Sequence, residues 1–557
     1  MRGLMMDFQL SIPAMIRRGE TLFGHKHVVS RLADRSVVRH TYAQIFERVR
    51  RLGAALQSLG VQPGDRVATL GWAGHQHLEC YLAIPTIGAV LHTLNLRLHH
   101  DDLAYIANDA QDRVLIVDES LLELWDRVRP HVNVEHVIVM SRTGSTPTDP
   151  PFSAGVDRSF LDYEEVLAAS DPTHMKEPAI DERQAAAMCY TSGTTGRPKG
   201  VLYSHRSMTL HTMAAGLHDC LAIGEADTVL PIVPMFHVNA WGLPFGCVFF
   251  GANQVFAGPF MDAKSVLDLL VNEKVTITGG VPTVWLGVLN ELDQNPGAYD
   301  LSRLRTIIVG GSAAPISMIK AFQERYNLNI VHAWGMTEMS PLGTLGIVPS
   351  TLRSAPAERQ YAFRAKQGIP MPLVEIRARS DKGVVAWDGQ TMGELEVRGP
   401  WIASQYFNVH GADDRFTDDG WFKTGDIVTI EPDGCIEIAD RSKDLVKSGG
   451  EWISSVALET ALMGHPAVAG AAVIAVPHPK WDERPLAAVV LKTGKSATAD
   501  ELREFLAPQF AKWWLPDVIE FVSEIPRTSV GKFKKTALRD QFKDRYQTTS
   551  SGDRAIG

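Results

Sequence analysis

Apolar residues at Tyr42, Ile45, Phe46, Val49, Leu52, Leu56 and Leu59 recur every three or four positions and stop at Gly60, a spacing that predicts an amphipathic helix closed by a glycine. Pro63-Gly64-Asp65 then turns the chain into Arg66-Val67-Ala68-Thr69-Leu70, which reads as a buried strand. Strand-like runs return at Val114 to Val117 and at Thr306 to Val309, the second leading through Gly310-Gly311 toward a helix that begins near Pro315. Such alternation predicts an α/β chain with largely parallel sheets covered by helices. After Asp440 the pattern changes scale. A helix over Val456 to Met463, a strand over Ala471 to Val476, a helix over Glu501 to Phe510 and a strand over Val518 to Val522 form a unit of about a hundred residues, enough for its own core. The expected organisation is therefore a large domain at 1–440, a junction at 441–443, a small α+β domain at 444–547 and a frayed tail at 548–557. The Ser-, Thr-, Pro- and Gly-rich stretch from Thr143 to Gly155 is expected to be an exposed loop.

One apolar segment tests whether the chain enters a membrane. Val229 to Phe250 carries no Asp, Glu, Lys or Arg and is long enough to span a bilayer at ~20 residues. Pro231, Pro234 and Pro244, with His237 and Asn239 between them, would leave helix hydrogen bonds unmade in lipid, so the segment reads as buried strand, loop and helix start. Peripheral contact with a membrane stays open. The residues from Met1 to Asp7 lack an apolar core followed by a small-residue cleavage site, so no secretory signal is expected. Cys80, Cys189, Cys220, Cys247 and Cys435 are odd in number and have no CxxC spacing, which argues against a disulfide framework or a zinc site and fits the cytoplasm. The formal charge is -9, with no basic run interleaved with aromatics, so nucleic acid is not an expected partner.

The densest chemistry lies in Tyr190-Thr191-Ser192-Gly193-Thr194-Thr195-Gly196-Arg197-Pro198-Lys199-Gly200. Glycines let backbone N–H groups turn toward an anion, hydroxyls add donors, and Lys199 and Arg197 add charge, a combination suited to phosphate. It is not a Walker loop: Pro198 stands where the second glycine should be, Gly200 where Ser or Thr should follow the lysine, and Val201-Leu202-Tyr203 reads as strand rather than helix.

This string resembles the phosphate-loop signature of the adenylate-forming superfamily, which includes acyl-CoA synthetases, nonribosomal-peptide adenylation domains and beetle luciferases. Four further segments match it in order: Gly335-Met336-Thr337-Glu338, Trp421-Phe422-Lys423-Thr424-Gly425-Asp426, Asp440-Arg441-Ser442-Lys443-Asp444, and Pro526-Arg527-Thr528-Ser529-Val530-Gly531-Lys532. The resemblance runs from about Thr41 to Lys535. It implies a large domain meeting a mobile C-terminal lid at the Asp440–Asp444 motif, with ATP, Mg²⁺ and CoA as partners.

On that resemblance, the loop Thr191, Ser192, Gly193, Thr194, Thr195, Gly196 and Lys199 holds the ATP phosphates. Glu338 and Thr191 are assigned to Mg²⁺, an ion that takes oxygen ligands and bridges phosphates. Thr337 is assigned to the α-phosphate. Gly311 and Ser312, with His332, Ala333, Trp334 and Gly335, form the adenine or acyl-adenylate wall. Many relatives carry Tyr in place of Trp334, which implies that stacking survives while a phenolic hydrogen bond does not. Asp426 would accept the ribose hydroxyls, with Arg441 beside it, and Lys443 would be the hinge. Lys532 would reach the carboxylate and α-phosphate during adenylation, offsetting charge at the pentacovalent phosphorus. The string Lys447-Ser448-Gly449-Gly450-Glu451-Trp452 would admit the pantetheine arm of CoA, placing Lys447, Gly449, Gly450 and Trp452 among the cofactor contacts.

Substrate choice is expected in Pro234 to Trp241, through His237, Val238, Asn239 and Trp241, and in Val281 to Trp285, through Val281 and Trp285, with Gly310 beside them. An apolar pocket with few polar groups suits an alkyl carboxylate. These strings resemble bacterial medium- and long-chain fatty acyl-CoA synthetases, in which the tryptophan matching Trp241 gates the acyl tunnel, and equally ligases for 3-(methylthio)propionate. No acidic residue stands near His237 for the ammonium of an amino acid. The similarity also implies a homodimer. Two other readings stay open: an adenylating enzyme that does not use CoA, and a serine hydrolase built on Gly310-Gly311-Ser312-Ala313-Ala314 with Asp440 and His465, one residue from the G-x-S-x-G elbow.

Overall fold

The computed structural model describes residues 1, 3–140, 160–191, 197–409, 413–441, 443–448, 451–526 and 533–546. The helix expected after Thr41 spans Tyr42–Ser58 and starts with a capping box: the Thr41 hydroxyl accepts from the N–H of Gln44 while the Gln44 side chain accepts from the N–H of Thr41. Its apolar face, Ile45, Phe46, Val49, Leu52 and Leu56, is buried in the main core. The strand Arg66–Leu70 follows where the alternation placed it.

Among the described residues, the two large sheets are mostly parallel. One has seven strands in the order Leu161–Asp162, His136–Met140, Asp112–Asp118, Arg66–Leu70, Val90–Thr93, Ala185–Tyr190 and Gly200–Ser204, with only the last pair antiparallel. The other has nine. Its parallel centre runs Ile330–Gly335, Thr306–Val309, Ile277–Gly280, Thr228–Pro231, Asn253–Phe256 and His27–Arg31, and antiparallel strands lie at both edges. Helices such as Ala263–Asn272 and Ile316–Tyr326 bury Leu267, Leu270, Ile319 and Phe322 in a second core on this sheet. The α/β reading of the large domain is therefore correct.

A third sheet was not foreseen. Glu375–Ser380, Gly393–Arg398, Phe422–Ile430 and Ile436–Arg441 pair antiparallel, each with the next. The last of these strands ends at Arg441, and the next, Val446–Ser448, joins a different sheet, with Glu451–Ile453, Asp482–Leu491, Val468–His478 and Val518–Phe521. The change of sheet thus falls between Arg441 and Val446, overlapping the Asp440–Asp444 motif. In the small domain the strand expected over Ala471 to Val476 is longer, Val468–His478, and the helix expected over Glu501 to Phe510 spans Ala499–Leu506. Thr498 caps this helix in a box with Glu501, which makes Glu501 the third helical residue rather than the first, and Pro508 cannot extend it.

The apolar segment Val229 to Phe250 contributes the strand Thr228–Pro231 and the helix Leu243–Phe250. Among the described residues no helix is long and apolar enough to cross a membrane. All five cysteines are buried free thiols. Thr143 to Gly155 and the tail at 548–557 lie outside the described residues.

Candidate active site

Parallel strands deliver their carboxyl ends to one side of a sheet, and loops leaving those ends are where α/β folds present ligand-binding groups. Here they open on a connected cavity of about 1150 Å³. Thr191 and Lys199 enter it from the ends of the antiparallel pair Ala185–Tyr190 and Gly200–Ser204. The base of that loop is closed by two mutual bonds: the N–H of Thr191 donates to the carbonyl of Lys199 at 2.9 Å, and the N–H of Lys199 to the Thr191 hydroxyl at 3.1 Å. Ser192, Gly193, Thr194, Thr195 and Gly196 lie outside the described residues.

Thr337 and Glu338 lie just beyond the strand Ile330–Gly335, in a single 3-10 turn that lines the same cavity. Gly335 has to be glycine, because a Cβ there would stand 2.0 Å from the carbonyl oxygen of Pro341. Glu338 is only 5% exposed, which excludes a solvated surface acid. The Tyr406 hydroxyl donates to its Oε1 at 2.6 Å, and the Tyr203 hydroxyl donates to the carbonyl of Thr337 at 2.7 Å. Burial, with the Glu338 charge beside it, holds the Tyr406 phenol well above its usual range, so it stays a donor.

Asp426 is 1% exposed at the bulged pairing of Phe422–Ile430 with Ile436–Arg441. The indole N–H of Trp334 donates to its Oδ2 at 2.9 Å, and Arg441 Nε lies 2.6 Å from Oδ1. The loss of a phenolic hydrogen bond expected at Trp334 is thus offset by the indole, which brings its own donor. His332 is buried, which pushes it below the ordinary histidine value; as a neutral ring it donates Nδ1–H to the carbonyl of Ala365 at 3.0 Å. His332, Ala333, Trp334, Gly310, Gly311 and Ser312 all line the cavity.

Part of the lining is apolar: Leu221, Phe236, Val238, Trp241, Leu243 and Ile308, with His237 among them. Val238, Asn239, Ala240, Trp241 and Gly242 carry φ between 46° and 74°, a complete left-handed turn that includes a β-branched residue. Each such non-glycine residue costs roughly 1–2 kcal/mol, so packing must hold the turn. The Trp241 indole rests on the strand ends at Gly279 and Gly310, and a Cβ on Gly310 would meet it at 3.1 Å. Asn239 does not line the main cavity. It is buried, accepts the Cys189 S–H at 3.5 Å, and lines a separate small void with Tyr203 and His211.

Two further expected substrate contacts do not line the cavity. Trp285 is fully buried in the second core, its indole against Gly280, while Pro282, Thr283 and Leu286 face the cavity instead. A helix starting at Pro282 turns every fourth residue to one side, and Trp285 falls on the side packed onto the sheet. Val281 packs beside Gly311, 3.2 Å from where its Cβ would be, and does not line the cavity.

The small domain closes the cavity with Val456, Glu459, Thr460, Met463, Ala469, Phe533 and Lys535, and Lys443 and Arg441 stand at the junction. Lys532, Gly449 and Gly450 lie outside the described residues. Lys447 and Trp452 face each other across the hairpin Val446–Ser448 and Glu451–Ile453, and neither lines the cavity. The hydrolase arrangement is not assembled: Asp440 accepts N–H groups of Arg441 and Ser455, and His465 packs edge-on against Phe505.

The chain matches the AMP-binding enzyme family over residues 22–407 and the AMP-binding enzyme C-terminal domain over 457–532. It is 48% identical to a long-chain-fatty-acid–CoA ligase of Thermus thermophilus over 97% of both chains. It is 44% identical to a 3-methylmercaptopropionyl-CoA ligase of Ruegeria lacuscaerulensis, over 98% of this chain and 99% of the relative. Its fold is similar to that of ATP-bound MatB from Rhodopseudomonas palustris, with a TM-score of 0.81 at 25% identity, over 97% of this chain and all of the other.

Proposed function

The chain belongs to the AMP-binding enzyme family, and on that premise we propose that it is an ATP-dependent carboxylic acid–CoA ligase for medium- and long-chain fatty acids. A substrate carboxylate attacks the α-phosphorus of ATP, giving acyl-AMP and pyrophosphate; the CoA thiolate then displaces AMP to give acyl-CoA. The observation that carries this reading is the mixed lining of the cavity. Lys199, Thr337, Glu338 and Asp426 supply charge and hydrogen bonds to its lining, and Leu221, Phe236, Val238, Trp241 and Ile308 supply an alkyl surface. No carboxylate stands between Phe236 and Leu243 to receive the ammonium of an amino acid.

Within this reading Asp426 and Arg441 hold the ribose, Trp334 and His332 with Gly311 and Ser312 hold adenine, and Thr337 meets the α-phosphate. Lys532 acts in adenylation, Lys443 is the hinge, and Lys447 and Trp452 belong to the face that meets CoA. Glu338 and Thr191 offer an all-oxygen donor set of the kind Mg²⁺ takes together with phosphate oxygens. The ion would neutralise charge on the phosphates as pyrophosphate leaves. A cytoplasmic homodimer completes the proposal, the free buried thiols supporting the reducing compartment and sedimentation velocity testing the assembly.

The discriminating experiment measures kcat/KM with CoA over a panel from propionate and 3-(methylthio)propionate to octanoate and palmitate. A maximum at octanoate or longer is expected. A maximum at 3-(methylthio)propionate would replace the fatty-acid reading by the short thioether acid, and formation of acyl-AMP without acyl-CoA would overturn the ligase reading.

A further inference from the structure

Glu338 and Lys199 lie next to strands of separate sheets, yet one stretch of chain touches both. The N–H of Ala403 donates to the main-chain carbonyl of Glu338 at 2.7 Å, and the Tyr406 hydroxyl donates to its carboxylate at 2.6 Å. One residue on, the N–H of Phe407 donates to the carbonyl of Gly200 at 2.8 Å, which fixes the strand leaving the phosphate loop. The Lys199 ammonium sits over the Tyr406 ring, 4.5 Å from its centroid, and 2.9 Å from Asp413. Tyr406 is 4% exposed and packs edge-on against Phe416 at 5.6 Å, so the ring has little room to move.

We propose that Tyr406 is a positioning residue that sets the Glu338 carboxylate and the Lys199 ammonium at a fixed separation for a metal–nucleotide phosphate group. The proposal rests on the reading of Glu338 as a Mg²⁺ ligand and Lys199 as a phosphate contact. The two ends of the phenol do different jobs. Its hydroxyl fixes the rotation of a carboxylate and occupies one oxygen, while the other keeps its acceptor capacity for a hard cation. Its ring face holds a cation by electrostatic attraction and leaves the ammonium donors that Asp413 does not take for an anion. A lysine and a glutamate each have several free torsions, and without Tyr406 the carboxylate, and a lysine held by Asp413 alone, would have to be ordered when the nucleotide arrives.

These jobs separate by substitution. Tyr406→Phe keeps the ring and removes the bond to Glu338; Tyr406→Leu removes both. Binding of Mn²⁺ in the presence of a non-hydrolysable ATP analogue is followed by electron paramagnetic resonance, alongside the Mg²⁺ dependence of pyrophosphate release and the KM for ATP at saturating Mg²⁺. Thermal melts establish that each variant is folded. Tyr406→Phe should weaken Mn²⁺ binding about tenfold, as expected for one lost hydrogen bond to a charged group, with little change in the KM for ATP. Tyr406→Leu should in addition raise the KM for ATP. The double variant with Glu338→Gln should bind Mn²⁺ no more weakly than Glu338→Gln alone. Wild-type Mn²⁺ binding by Tyr406→Phe while Glu338→Gln is weakened, or additive losses in the double variant, would overturn the positioning role. Wild-type Mn²⁺ binding by Glu338→Gln itself would instead bring down the metal reading, and this proposal with it.

Discussion

The indole N–H of Trp334 donates to Asp426 Oδ2 at 2.9 Å while Arg441 faces the other carboxylate oxygen, so the residue proposed to hold the ribose is oriented by the residue proposed to stack on adenine. Replacing Trp334 with Phe keeps an aromatic face and removes this donor. The KM for ATP should rise about tenfold, the cost of a hydrogen bond to a buried charge, with the Mg²⁺ dependence unchanged. An unaltered KM would show that Arg441 alone orients the carboxylate.

Lys532 follows Gly531 in the segment that precedes Phe533 and Lys535, and both of these line the cavity, whereas the hairpin carrying Lys447 and Trp452 does not. Lys532→Ala should therefore suppress pyrophosphate release at least about a hundredfold, the loss of one transition-state donor, while acyl-CoA formation from supplied acyl-AMP persists. Equal losses in the two half-reactions would remove Lys532 from the adenylation step.

Because the Trp241 indole rests on Gly310 with no room for a methyl group between them, chain-length preference should respond to either partner. Trp241→Ala clears apolar volume from the cavity wall and should raise activity on palmitate relative to octanoate. Gly310→Ala pushes the indole aside, and its Cβ would also stand 3.0 Å from the Ala333 carbonyl, so a loss of stability of about 1–3 kcal/mol accompanies any change in selectivity. Activities on the two acids that fall in parallel, together with a lowered melting temperature, would make Trp241 a packing residue only.

What could be read from the chain was what is local. The helix Tyr42–Ser58 and the strands Arg66–Leu70 and Thr306–Val309 announce themselves because periodicity, cap and glycine agree within a few residues. The third sheet did not, because Glu375–Ser380 and Gly393–Arg398 carry charges that look solvated; Glu396, 1% exposed, is paired across the strands with Arg377 and also meets Arg379. At the site, residues inside motifs could be named from sequence. Trp285 was misplaced because an apolar string does not say which face of a helix meets the sheet. Tyr406 was missed because its importance comes from Glu338 and Lys199, both far away in the chain, and no spacing around Tyr406 encodes that meeting.

The last prediction concerns acid stability. His75, His77, His205 and His211 are buried, and burial pushes each down to about 4 from an ordinary 6.5. Above 6.5 these rings are neutral in both folded and unfolded chains and add no pH dependence. Between 6.5 and about 4 the unfolded chain takes up protons that the folded chain does not, so stability falls as pH falls and levels off below about 4. Each ring can cost roughly 3 kcal/mol across that window. His205 isolates the effect, because its Nδ1 accepts the N–H of Ile12 at 3.3 Å and anchors the first helix. His205→Asn offers a carbonyl oxygen as acceptor and has nothing to titrate. Melting temperatures measured from pH 8 to pH 4.5 should drop less steeply for the variant than for the wild type, and the difference cancels every group the two share. Two curves that run parallel over the whole range would mean that His205 is not held neutral by the fold.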